Sequence, residues 1–206
     1  MKKKSINNLL VTLLVDTIPT HFNLAGKADG WGPKSTLVGT SIFLSLLSIG
    51  LYALMTNITK LDPKKSAGQN PVLMQKMGLA VVALLSLVQL IIVQSSLGQG
   101  QFFDHLIIPG VGLLFAVMGN YMHSLKPNYF AGMRLPWTLE DPENWRLTHQ
   151  LASKYWVGGG LLVAALGLFL PLKWGLVVLL VSSFILVLVP AIFSYRLFQQ
   201  KKKQNG

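Results

Sequence analysis

The chain has 206 residues, no cysteine, 51% hydrophobic residues and a formal net charge of +11. Without cysteine there is no disulfide framework, no thiolate nucleophile and no cysteine metal ligand. The positive charge gathers in short stretches between apolar runs and forms no basic stripe, which is a pattern of membrane topology and not of direct nucleic-acid binding.

Lys2, Lys3 and Lys4 open the chain and precede an apolar stretch at 6–15. At about ten residues this stretch makes roughly 15 Å of helix, short of a full span. No small-residue cleavage site follows before Asp16 and Thr17, as a signal peptide would need. A polar loop at 16–36 comes next, where Gly26, Gly30 and Gly32 beside Asp29 and Pro33 predict tight turns, some with positive φ. Five apolar segments follow, at 37–57, 77–97, 106–122, 155–172 and 175–195. Crossing about 30 Å of hydrocarbon takes roughly 20 helical residues, with a lower limit near 17. The segment 106–122, which carries Pro109, Gly110, Gly112 and Asn120, only just qualifies. The expected fold class is all-α: a polytopic transmembrane helical bundle with five clear spans plus a short first helix.

Loop charge sets the orientation. Lys60, Lys64, Lys65 and Lys76 face a single Asp62 in one loop; 98–105 has no basic residue; 124–154 carries Lys126, Arg134, Arg146 and Lys154. Only Lys173 lies between the last two spans, whereas the tail holds Arg196, Lys201, Lys202 and Lys203. The positive-inside rule places both termini and the 124–154 loop in the cytoplasm. Such an arrangement needs an even number of spans, hence a six-span plan in which 6–15 is a stunted first helix.

Three polar features bear on function. In the outward loop, His21, Asn23, Gly26, Asp29 and Trp31 offer a ligand-meeting surface, or a turn-rich connection anchored at the headgroups by Trp31. Inside the spans, Gln89, Gln94 and Asn120 are uncharged, and the absence of charge there disfavours ion-coupled transport. Gly158, Gly159, Gly160 and Gly167 predict close helix approach, and Pro190 predicts a kink. The third feature is the polar stretch from Asn128 through Gly132, Arg134, Pro136, Trp137 and Thr138 to Trp145 and His149. Asp141 followed by Pro142 is a helix start, and the next helix places Trp145, His149, Ala152 and Trp156 on one face. The expectation is an amphipathic helix lying on the cytoplasmic surface, with Trp145 and His149 exposed to a partner. Arg134 is expected to stack on Trp137 or to bind a carboxylate or lipid phosphate; the alternative is an interfacial anchor.

Of the four histidines, the topology puts His21 and His105 outside and His123 and His149 inside. No HExxH pattern or nucleophile elbow occurs, so a metal hydrolase would need His21 and His105 with Asp29 or Asp104. No cofactor or metal is implied, and an enzyme is the weaker reading.

The motif Asn128-x-x-x-Gly132-x-Arg134-x-Pro136-Trp137-Thr138-Leu139, then Trp145, His149 and a glycine-containing apolar helix, resembles the signature of the SdpI family of bacterial membrane proteins. The front loop, Ile18-Pro19-Thr20-His21-Phe22-Asn23 with Gly26, Trp31, Gly32 and Lys34, is similar to the small membrane domain of unknown function that commonly precedes it. Ala131 and Leu135 depart from the motif. The resemblance implies immunity: a multi-pass protein of the bacterial cell membrane that protects a toxin producer from its own secreted peptide. It also implies a possible receptor role, in which toxin engagement holds a cytoplasmic transcriptional repressor at the membrane. The expected partners are thus membrane lipid, a secreted peptide toxin and that repressor. The expected modules are 1–60, with the outward loop, and 61–206, with the cytoplasmic motif. The competing reading is a small-molecule or lipid transporter with an aqueous path lined by Gln89, Gln94 and Asn120.

Overall fold

The computed structural model describes residues 16–23, 28–62, 69–96 and 104–204; the apolar stretch 6–15 and Gly26 lie outside them. The described chain is six helices and one hairpin: β1 (Thr17–Phe22), β2 (Ala28–Pro33), α1 (Ser35–Leu61), α2 (Pro71–Ser96), α3 (Ile107–Met122), α4 (Pro136–Glu140), α5 (Pro142–Phe169) and α6 (Leu172–Gln204). A single 3-10 turn, Asp104–Leu106, leads into α3. This is a polytopic all-α membrane protein with one small sheet added.

Four helices, α1, α2, α5 and α6, are long and apolar enough to cross a bilayer. Helix α3 has 16 residues, roughly 24 Å at 1.5 Å per residue, so it relies on the 3-10 turn before it. Two hydroxyls of α1 fold back on their own helix, as lipid offers no other acceptor: Thr40 donates to the Thr36 carbonyl at 2.8 Å and Ser48 to the Leu44 carbonyl at 2.8 Å. Helix α2 starts at Pro71, where the missing N–H costs nothing, and Asn70 Oδ1 caps it by accepting from the Val72 N–H at 3.0 Å.

Helices α3 and α5 make the most extensive pairing, and small residues explain it. Gly112 and Ala116 of α3 face Gly160 and Ala164 of α5 so closely that a Cβ on Gly112 would lie 2.5 Å from the Ala164 nitrogen and 2.7 Å from the Gly160 carbonyl oxygen. Where lipid removes the hydrophobic drive between helices, such close backbone approach supplies the packing energy. Gly167 meets Ile108 and Pro109, and Gly159 meets Leu186 of α6, whereas Gly158 faces open space. The glycine-rich start of this span therefore packs through two of its three glycines.

Helix α6 turns Leu186, Pro190 and Ser194 inward, one residue per turn, and leaves Leu180, Val181 and Phe184 exposed to lipid. It runs through Pro190 without a break. Proline cannot donate to the carbonyl four residues back. Here the Trp156 indole N–H donates to that carbonyl, Leu186 O, at 3.0 Å, so the group is satisfied from α5.

The apolar core lies at one end of the bundle. Ile58, Leu73, Met74, Met77, Met122, Leu125, Ala131, Trp145 and Ala152 form a single buried cluster there. At 28 and 33 residues, α5 and α6 run roughly 42 and 50 Å. Both exceed about 30 Å of hydrocarbon, and α6 carries Lys201, Lys202 and Lys203 in its last turn.

Candidate functional site

The motif folds into a buried latch beside that core. Asn128, 1% exposed, accepts on Oδ1 from the Phe130 and Ala131 N–H groups at 2.9 and 2.7 Å. Its amide donates to the Lys126 and Ala131 carbonyls at 2.8 and 3.2 Å. The turn so fixed delivers Gly132 at φ +100°, a conformation that L side chains rarely adopt. A Cβ at Gly132 would collide with His149 Nε2. That nitrogen accepts from the Met133 N–H at 2.9 Å, while Nδ1 donates to the Trp145 carbonyl at 2.8 Å. The two bonds together require a neutral imidazole protonated on Nδ1. Trp145 stacks on His149 with ring centroids 4.0 Å apart and donates its indole N–H to the Leu125 carbonyl at 2.8 Å. Thr138 closes the turn: its hydroxyl accepts from the Leu135 N–H at 2.9 Å and donates toward the Met133 carbonyl at 2.7 Å, with Pro136 opening α4.

A second network ties this loop to α6. Asn144 donates to the Ser194 carbonyl at 3.0 Å and accepts from the hydroxyls of Ser194 at 2.7 Å and Thr148 at 3.0 Å. The Trp137 indole donates to Ser194 Oγ at 2.9 Å, and its ring packs on Tyr195 and Phe198. Asp141 caps α5 through the Glu143 and Asn144 amides and takes a 2.7 Å bond from Lys201 near the end of α6. Partial burial acts to raise the Asp141 pKa, but the Lys201 bond, the two amides and the Lys201 charge outweigh it and hold the carboxyl below its usual range. Among the described residues no buried side-chain nitrogen or oxygen lacks a partner.

Two expectations need correction. The helix after Asp141 is not a surface helix: it is the first part of the continuous α5, and Trp145 and His149 are 1% and 0% exposed. The face shared by Trp145, His149, Ala152 and Trp156 is the buried face, because the polar atoms on it find partners in the Leu125–Leu135 loop and α6. Arg134 and Trp137 also part company. The Arg134 side chain is exposed and donates to the Tyr129 carbonyl at 2.8 Å, while Trp137 turns to α6. Asn144 and Ser194 were missed by the sequence reading. The signal for Ser194 was its place four residues after Pro190 in an apolar run; Asn144 carries no such mark.

At the opposite end, β1 and β2 pair antiparallel, with Pro19 opposite Trp31 and His21 opposite Gly30. Gly30 and Gly32 are strand residues without positive φ; a Cβ there would meet His21 Cβ at 2.8 Å and Thr20 Cγ2 at 2.9 Å. His21 pairs with Asp29 across the hairpin, and Trp31 is 64% exposed. Asn23 lines a cavity of about 400 Å³ between the hairpin and the ends of α1, α2, α3 and α6. The described residues contain no group of three His, Asp or Glu placed to hold a metal ion. Gln89, Gln94 and Asn120 line neither this cavity nor two others of about 410 and 470 Å³.

The SdpI/YfhL protein family model matches residues 124–194, and a domain of unknown function (DUF1648) matches residues 9–44. The Immunity protein SdpI of Bacillus subtilis (strain 168) is 31% identical over 142 residues, covering 69% of this chain and 67% of that protein. This chain belongs to the SdpI family. No solved structure matches it. As a member of that family with four long apolar helices, it is a multi-pass protein of the bacterial cell membrane. The family match runs from Ser124 to Ser194, so it spans the latch from the loop beside Leu125 to the residue that closes it on α6.

Proposed function

We propose that this chain is a non-enzymatic immunity protein that protects its bacterium against a secreted peptide toxin, met at the outward end of the bundle. The observation that carries the reading is the likeness to the Immunity protein SdpI of B. subtilis, 31% identity over 142 residues. The loop charges orient the hairpin end outward and the latch end, with Lys201, Lys202 and Lys203, inward. On this reading the module 1–60 supplies the hairpin with His21, Asn23, Asp29 and Trp31, and the module 61–206 supplies the latch that holds the helices in one packing.

The inward motif is a positioning device in this account. Asn128, Thr138, Trp145 and His149 direct their side-chain polar groups to the neighbouring backbone, and Gly132 leaves room for His149. Capture of a cytoplasmic repressor would then use the exposed Arg134, Tyr129 and Arg146 instead of Trp145 or His149.

The test is expression of the chain in a toxin-sensitive strain challenged with the peptide fraction secreted by the source bacterium. Survival above the empty-vector control is the expected result; equal killing at confirmed membrane expression would end the immunity reading.

A further inference from the structure

The outward cavity is built for one kind of guest. Among the described residues its lining holds no Asp, Glu, Lys, Arg or His. A charged group inside would lose hydration without a counter-charge, at a cost of several kcal/mol. The buried part of any ligand is therefore neutral. The apolar part of the wall comes from β1 and four helices and includes Phe22, Leu37, Ile91, Ile92, Ile107 and Leu172. Set among these are short polar side chains, Thr20, Thr36 and Thr40 on the β1 and α1 side and Ser95 and Ser96 at the end of α2. The volume, about 400 Å³, falls within the range of roughly 300–1,000 Å³ typical of ligand sites with a few convergent polar groups.

The hydroxyls decide between occupants. An acyl chain brings no hydrogen-bonding group, so it would strip water from these side chains and return nothing. A peptide segment brings an N–H and a C=O with every residue. Thr40 already donates to the Thr36 carbonyl at 2.8 Å, yet a hydroxyl oxygen in that state still accepts. The position agrees. Ser95 and Ser96 end α2, Thr36 and Leu37 begin α1, and Ile107 and Leu172 open α3 and α6. The cavity therefore lies at the rim of the bundle under β1, within reach of a molecule arriving from water.

We propose that this cavity binds an uncharged, apolar segment of the secreted peptide, with the main chain of that segment hydrogen-bonded to the Thr20, Thr36 and Thr40 side and its side chains against Ile91, Ile92, Ile107 and Leu172. The proposal rests on the immunity reading and adds the site and the chemistry of the part bound.

The absence of cysteine from these 206 residues makes Thr40→Cys a unique thiol in this chain, and Ile92→Cys serves as a second probe position should the first variant fold poorly. Each variant is reconstituted in nanodiscs and labelled with a small maleimide, with and without the secreted peptide fraction. In parallel, a bimane attached at the same cysteine is tested for quenching by brominated acyl chains. Nine-tenths occupancy slows labelling about tenfold, and that protection, with no quenching by brominated lipid, is the expected result. Unchanged labelling while the wild-type chain protects cells would overturn the cavity and leave immunity standing. Quenching without peptide would make the occupant a lipid and overturn the proposal. Failure of the wild-type chain to protect cells would remove both readings.

Discussion

Replacing Gly132 by alanine tests the latch at its tightest point. Gly132 sits at φ +100° with His149 Nε2 against the place a Cβ would occupy. Two costs follow. A non-glycine residue held in such a conformation costs about 1–3 kcal/mol. The methyl also displaces the imidazole that accepts from the Met133 N–H, and a buried acceptor left without its donor costs about 1–3 kcal/mol more. The sum, about 2–6 kcal/mol, is a large part of the 5–15 kcal/mol that holds a typical domain folded. Gly158→Ala is the comparator, because a Cβ there meets nothing within 4 Å; it should be neutral, or stabilising by up to about 1 kcal/mol through helix propensity. Thermal unfolding of the purified chain in detergent, followed by tryptophan fluorescence, reads both. If Gly132→Ala unfolds at the wild-type temperature, or Gly158→Ala is equally damaging, the latch is not what positions these helices.

Three further outcomes follow from the same contacts. Trp156→Phe should destabilise by about 1–3 kcal/mol because the Leu186 carbonyl loses its donor; Pro190→Ala restores a backbone N–H to that carbonyl, so a double-mutant cycle should show the pair costing less than the sum of its parts. Asp141, held below the ordinary carboxylate range, contributes stability that is fully present above its unfolded pKa and lost only as pH falls through the depressed value; Asp141→Asn should lower the unfolding temperature near neutral pH and flatten its acid limb. Lys173→Cys, in the first turns of α6, should be labelled by an impermeant reagent in intact cells, whereas Lys203→Cys, at its other end, should react only after permeabilisation.

Spans are easy to read because lipid demands long apolar helices, and α1, α2, α5 and α6 each satisfy that demand on length and composition alone. The small hairpin was hidden: Gly30 and Gly32 look like turn residues, but they are small because His21 and Thr20 stand opposite them. The face bearing Trp145 and His149 was correctly placed by periodicity and wrongly turned toward water. Periodicity reports which residues share a face, not what covers it, and the covering groups here are carbonyls and amides from Leu125 to Leu135 that have no side-chain signature. The pairing of Asn144 with Ser194 lies fifty residues apart in the chain, beyond any local pattern.

The most direct measurement of the central claim scores survival and membrane level together in cells carrying outward and inward variants. Asn23→Ala and Thr40→Trp should lower survival against the secreted peptide fraction at wild-type membrane levels, because they alter the cavity wall. Gly132→Ala and Trp145→Phe should lower survival only in proportion to lost protein, because they weaken the latch. Full protection by both outward variants, or lost protection by the latch variants at unchanged protein level, would place the site at the inner end and contradict the account.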